Sequence, residues 1–152
     1  MSDWSIRDAS AGDLEAVERT LQASDLPLDG LHDQFGARYA VAESGGIVIG
    51  VEGIEVHGHD GLLRSAAVVK EWRGRGVGDA LTRDRIEWAR REGLDALYLL
   101  TTTAGDWFPR FGFVPVARDS APVSIRESRE FADACPASAL FMQLILNTES
   151  KQ

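Results

Sequence analysis

Cysteine is nearly absent from this chain of 152 residues. Cys135 is the single one, so no intramolecular disulfide can form and a cytoplasmic setting is the default expectation. Long apolar runs are missing as well, and none reaches the length needed to cross a bilayer, so no membrane partner is expected. The start, Met1-Ser2-Asp3-Trp4, has neither the basic region nor the apolar core of a secretion signal. Positive charge is in deficit: 16 Lys and Arg against 24 Asp and Glu leave a net charge of −8, which argues against a nucleic-acid partner. Histidine is scarce, and His57 and His59 share a glycine turn that reads as a solvated loop, so no metal is expected. There is no internal repeat, no low-complexity segment and no composition break. One domain over residues 1–152 follows, with a 44% hydrophobic content suited to a packed core and a polar, frayed end at 147–152.

What the chain does have is a glycine turn, Arg73-Gly74-Arg75-Gly76-Val77-Gly78, placed after the apolar run Leu62 to Val69 and before a helical pattern from Val77 to Arg91. A strand, a glycine turn and a helix start make an anion-binding device. Unpaired N–H groups and the helix dipole point at the ligand, and glycines let it approach the backbone. Arg73 and Arg75 add charge and forked donors. The turn therefore reads as a pyrophosphate cradle, the alternative being a turn that serves packing alone. A dinucleotide fingerprint would need glycine where Asp79 stands, and a P-loop would need a Gly-Lys-Ser/Thr ending that the chain lacks.

Around this turn the hydrophobic periodicity predicts an ordered set of elements. Trp4 to Ala9 is a strand, Ala11-Gly12-Asp13 opens a helix with Leu14, Val17 and Leu21 on one face, and Leu31 to Phe35 forms a second short helix. Tyr39 to Ala42 and Ile47 to Ile54 are strands joined by the hairpin turn Ser44-Gly45-Gly46. His57 to Gly61 is a second turn leading into Leu62 to Val69. In the helix Val77 to Arg91, the residues Val77, Ala80, Leu81 and Trp88 face inward, with Arg83, Arg85, Glu87, Arg90 and Arg91 on the rest. Ala96 to Leu100, Phe113 to Val116 and Ala139 to Leu146 are strands; Ala104 to Arg110 is a short helix, and another lies around Arg126 to Ala134. The order is that of an α+β, mixed α/β domain.

One further pattern fits the turn: Arg/Gln-x-x-Gly-x-Gly/Ala, met by Arg73, Gly76 and Gly78. It resembles the coenzyme A loop of the GNAT superfamily of N-acyltransferases. That family's downstream Asn-x-x-Ala-x-x-x-Tyr appears here as Thr101, Ala104 and Phe108, followed by Phe111-Gly112-Phe113 at the family's Gly-Phe strand start. Within the superfamily the chain is similar to the arsenic-resistance-associated (ArsN-like) N-acetyltransferases. The matching stretches are Gly53-Ile54-Glu55, Leu62-Leu63-Arg64-Ser65, Tyr98 to Ala104 with its three threonines, and Glu130 to Ala139 with its Cys-Pro-Ala-Ser segment. The resemblance implies a mostly antiparallel sheet of six to seven strands with about four helices. It also implies acetyl-CoA as co-substrate and, as acceptor, the amine of a small glutamate-like molecule such as arsinothricin or phosphinothricin. A homodimer is compatible with it.

Roles by resemblance follow. The pyrophosphate falls to Arg73, Gly74, Arg75, Gly76, Val77 and Gly78; the pantetheine arm falls to backbone groups of Val68 and Val69, to Thr103, and to Trp107 and Phe108. Glu55 is the expected general base, its pKa raised by partial burial, with Glu52 as the alternative on the opposite strand face. Arg64, a charge inside an apolar strand, is expected to meet a substrate oxyanion, or else to form an internal salt bridge with Glu55 or Glu52. Thr101 and Thr102 are expected to orient substrate or thioester, or to cap the segment at Ala104. Phe108 departs from the family pattern, since it has no hydroxyl to protonate a leaving thiolate. That departure motivates a second reading, a non-catalytic acyl-CoA-binding or sensing domain.

Overall fold

The computed structural model describes residues 3–102, 104–128 and 139–146. Strand β1 is Ser5–Asp8; a 3₁₀ turn at Ala11–Asp13 leads into α1, Leu14–Ala23, and α2 is Leu31–Gln34. Strands β2 (Tyr39–Ser44), β3 (Ile47–His57) and β4 (Asp60–Val68) form a meander. Helix α3 is Val77–Arg91, β5 is Ala96–Thr101, and β6 is Val114–Pro115. Helix α4 is Val123–Arg126 and β7 is Leu140–Ile145. The seven strands make one sheet in the order β1-β2-β3-β4-β5-β7-β6, antiparallel except where β4 runs parallel to β5.

Helices cover both faces, and the strand alternation sorts the core accordingly. On one face Val17 and Leu21 of α1 pack on Tyr39, Val41, Val51 and Ala67. On the other, Val77 and Leu81 of α3 pack on Ala40, Ala42 and Ile49, while Ile86, Trp88 and Ala89 pack on Ile54, Leu63, Leu97 and Leu99. Two glycines of β3 set the layer spacing. A Cβ on Gly50 would sit 3.0 Å from Leu81, and one on Gly53 would sit 2.1 Å from the Tyr39 ring, which lies across it. The β2–β3 turn uses left-handed Gly45 and Gly46, the pairing a two-residue hairpin requires.

Several sequence expectations need correction. Arg85 does not lie on the outer face of α3; it is fully buried, one turn beyond Leu81 on the inner stripe. Its charge is tolerated there because Asp8 and Asp84 pair with it at 2.7 and 2.8 Å and the Ala37 carbonyl accepts a further bond. The turn expected over His57 to Gly61 is shorter, since Asp60 already pairs with His57 and Gly61 with Val56. The strand expected at Phe113 to Val116 shrinks to two residues, because Phe113 turns into the core against Phe108. A short helix stands at Val123–Arg126, directly after Pro122. Residues 129–134 of the helix expected around Arg126 to Ala134, together with Thr103, Cys135 and the tail at 147–152, lie outside the described residues.

Candidate active site

β4 and β5 pair only at Asp60–Ala96, Gly61–Leu97 and Leu62–Tyr98; beyond Leu62 they part. Local backbone geometry accompanies the parting. Between Val51 and Gly53 the β3–β4 register slips, so two steps along β3 match three along β4, from Ala67 to Arg64. The extra residue makes a β-bulge, with Ser65 in the left-handed region at φ 60°. A cleft of about 500 Å³ fills the gap, walled by β4 from Leu63 to Val68 and by Leu99 to Thr102.

The cleft reaches both faces of the sheet. On the α3 side it meets Glu52, Gly78, Leu81 and the aromatic pair Trp107 and Phe108, whose rings are 5.0 Å apart edge to face. On the α1 side it meets Asp25, Leu26, Pro27, Arg64 and Ser65. At its α3 end lies the glycine turn. Gly74 and Gly76 are left-handed at φ 78° and 88°, and nothing lies within 4 Å of where a Cβ would stand on either. Gly76 is the N-cap of α3, so the first N–H groups of that helix have no intrahelical acceptor. The bare backbone and open space fit an incoming phosphate. Arg73 lines the cleft and is anchored by its Nε donating to the Val68 carbonyl at 3.0 Å, while the Arg75 guanidinium lies over the Trp72 ring.

Of the other expected donor-side residues, Val68, Trp107 and Phe108 line the cleft and Val69 does not. Both backbone groups of Val69 are engaged internally, its N–H with the Ile49 carbonyl and its carbonyl with the Trp72 N–H. Thr101 and Thr102 both line the cleft, and the Thr101 hydroxyl accepts the Ala104 N–H at 2.9 Å, so the capping alternative holds for that threonine.

The acidic residues separate by environment. Glu55 does not line the cleft. Desolvation pushes its pKa up, but hydrogen bonds from His57 and Arg64 outweigh that, and the carboxyl sits below its ordinary range. The expectation of a raised Glu55 pKa is thus reversed. After His57, Arg64 is the second donor: it is buried and forms the internal salt bridge with Glu55. It also donates to Ser65 Oγ and to the carbonyls of Asp29 and Pro27, which ties the α1–α2 loop onto β4. Glu52, on the other strand face as alternation requires, is 1% exposed. Its Oε1 accepts the Thr82 hydroxyl at 2.7 Å, and Oε2 has no hydrogen-bond partner among the described residues. Burial is the largest cause that pushes its pKa up to about 8; the Thr82 bond and Arg85 only partly oppose it.

Sequence reasoning missed the α1–α2 loop as a cleft wall, and with it Asp25, Leu26 and Pro27. Asp25 holds φ 57° without being glycine. The Pro27 break was a visible signal of a loop but carried no information on what the loop faces. No metal-binding cluster occurs among the described residues, and no described helix is long and apolar enough to cross a membrane.

Residues 35–115 match the model of the acetyltransferase (GNAT) domain. An amino-acid acetyltransferase of Ralstonia nicotianae is 31% identical over 132 residues, covering 80% of this chain and 29% of the relative. One of Aeromonas salmonicida is 30% identical over 109 residues, covering 70% of this chain and 23% of the relative, so the chain spans less than a third of the length of either. Among solved structures, N-acetylglutamate synthase from Neisseria gonorrhoeae, complexed with coenzyme A and N-acetyl-glutamate, superposes with a TM-score of 0.81 at 22% identity, over 97% of this chain and 36% of that one. A Mycobacterium tuberculosis protein in complex with CoA gives 0.79 at 22% identity, over 94% and 99%.

Proposed function

Since this chain belongs to the GNAT acetyltransferase family, we propose that it is an acetyl-CoA-dependent N-acetyltransferase for the amine of a small amino-acid-like acceptor. One observation carries the reading: a single cleft passes through the β4–β5 gap, with an open glycine turn at its α3 end and a polar wall of Asp25, Arg64 and Ser65 at its α1 end. A donor and an acceptor entering from opposite faces would meet in the gap.

In this reading the N–H groups of Gly74, Gly76, Val77 and Gly78, with Arg73 and Arg75, hold the donor pyrophosphate. Val68, Trp107 and Phe108 wall the pantetheine arm, which supplies an acetyl thioester for attack. The acceptor amine arrives from the α1 side. Asp25 holds its ammonium at the rim until it sheds a proton to solvent, and Thr101 and Thr102 orient it. Arg64, held by Glu55, keeps the loop at Pro27 and Asp29 in place on the acceptor side. The nitrogen then attacks the carbonyl carbon, the C–N bond forms and the C–S bond breaks. A glutamate analogue such as arsinothricin or phosphinothricin is the finer form of this proposal. The family resemblance in the Glu55, Arg64 and triple-threonine stretches supports it, as does the likeness to amino-acid acetyltransferases.

Thiol release from acetyl-CoA, measured against glutamate, arsinothricin, phosphinothricin, methionine sulfoximine and simple amines, tests class and substrate together. Turnover with the glutamate-like members is the expected result. Tight coenzyme A binding with no turnover across the panel would instead favour an acyl-CoA-sensing domain.

A further inference from the structure

Cleaving the thioester leaves negative charge on sulfur inside a wall of Leu63, Leu81, Leu99, Trp107 and Phe108. An uncompensated thiolate is costly in such surroundings, so a proton has to be delivered where the sulfur departs. Phe108 has none to give, and the hydroxyls of Thr101 and Thr102, which also line the cleft, are far weaker acids than a carboxyl group. Glu52 is the acid on the α3 side of the cleft. One carboxyl oxygen is fixed by Thr82, and the other is buried in the cleft wall with no partner among the described residues.

We propose that Glu52 enters each turnover as a neutral carboxylic acid and protonates the departing thiolate. The proposal rests on the acetyltransferase reading given above. In the step, the C–S electron pair moves to sulfur and sulfur takes the Glu52 proton; the carboxylate so formed takes the proton that the acylated nitrogen sheds. Glu52 ends as it began, and the products are an amide and a free thiol.

The surroundings keep the acid loaded. From α3 it is faced by Thr82, Asp84 and Arg85; the β2 residue opposite is Ala40, and Leu63 of β4 is apolar. Arg85, the only cation in that set, is already paired with Asp8 and Asp84, while Arg64 is engaged with Glu55 on the other side of the sheet. A carboxyl with this surrounding stays protonated at pH 7, in line with its pKa near 8.

Two measurements test the proposal. The first needs no turnover: infrared spectra of the free protein should contain a protonated-carboxyl band at pH 7 that fades as pH rises through about 8 and is missing in Glu52→Gln. Its absence at pH 7 in the wild type overturns the proposal. The second is the pH profile of kcat. The wild type should lose rate above about pH 8; Thr82→Val should move that limb to higher pH, because the lost hydroxyl had favoured the carboxylate. Glu52→Gln should lack the limb, with kcat lowered about 100-fold or more and the acetyl-CoA KM little changed. A Glu52→Gln enzyme with unchanged rate and limb overturns the acid role while leaving the acetyltransferase reading intact; a wild type that releases no thiol with any amine overturns both.

Discussion

Replacing Glu52 by Gln should make the protein more stable, and increasingly so as pH rises. The carboxyl's ordinary value is 4.5 and its folded value about 8. Below pH 4.5 both folded and unfolded chains hold the proton, so the acid and its neutral isostere are equivalent. Between 4.5 and about 8 the unfolded chain ionises while the folded chain does not, and the unfolded state is favoured by about 1.4 kcal/mol for each pH unit. At pH 7 that interval is 2.5 units, a penalty of ~3 kcal/mol for the wild type. Above about 8 both states are ionised and the penalty levels off. Gln keeps the shape and can still accept the Thr82 hydroxyl, so the variant escapes the penalty. Urea unfolding of both proteins at pH 5, 6, 7 and 8 measures the difference directly; titrations elsewhere in the chain cancel in it. With an m-value of roughly 2 kcal/mol/M, the variant's midpoint should exceed the wild type's by more than 1 M at pH 7. Two midpoint curves that stay parallel from pH 5 to 8 would show that Glu52 ionises freely in the folded state and would refute the reasoning.

Other substitutions separate folding from function. Gly53→Ala would drive a Cβ to 2.1 Å from the Tyr39 ring, and should cost at least ~1–3 kcal/mol, read as a thermal midpoint lower by several degrees. Gly78→Ala places its Cβ at ordinary contact distance, 3.7 Å from Val68 and 3.8 Å from Trp107, so the thermal midpoint should hold while the acetyl-CoA KM rises at the narrowed entrance. Asp25→Gly should relieve the left-handed backbone and stabilise by up to ~1 kcal/mol while raising the acceptor KM; a gain in stability with no change in KM would remove Asp25 from the site. Arg64→Ala should cost about 3–5 kcal/mol by leaving Glu55 without its guanidinium partner, and should raise the acceptor KM more than the donor KM in whatever folds; equal effects on both KM values would make Arg64 purely structural.

The fold was legible because its signals are local and periodic. Helix α3 spans Val77–Arg91 as its apolar spacing and the flanking glycines predict, and the Gly45–Gly46 hairpin follows from turn chemistry. The glycine turn was legible for the same reason. What could not be read lies in pairings between distant residues. Arg64 looked available for a ligand because nothing in the chain announces that Pro27 and Asp29 turn their carbonyls toward it, some 35 residues away in sequence. Arg85 looked solvated because its counter-charge Asp8 lies on β1. The bulge at Ser65 depends on a left-handed φ in a residue type that does not require one. Strand alternation did separate Glu52 from Glu55, but which of them would be charged turns on whether His57 and Arg64 reach its oxygens, and that is a property of the packed sheet.

The two carboxyls stand three residues apart on β3 and face opposite layers, and their surroundings drive their ionisation in opposite directions. Both lose water on folding. Glu55 recovers more than it loses, because His57 and Arg64 donate to its two oxygens; Glu52 has one neutral hydroxyl and no cation of its own. The consequence for stability has two signs. Glu55 has a depressed folded pKa, so its contribution is full above its ordinary value of 4.5 and is lost as pH falls through the folded value. Glu52 has a raised pKa, so its penalty grows from 4.5 upward. Glu55→Gln should therefore lower stability most at neutral pH and converge on the wild type in acid, the mirror image of Glu52→Gln. If the two single variants instead bend the pH–stability curve in the same direction, the two layers do not impose opposite charge states on Glu52 and Glu55.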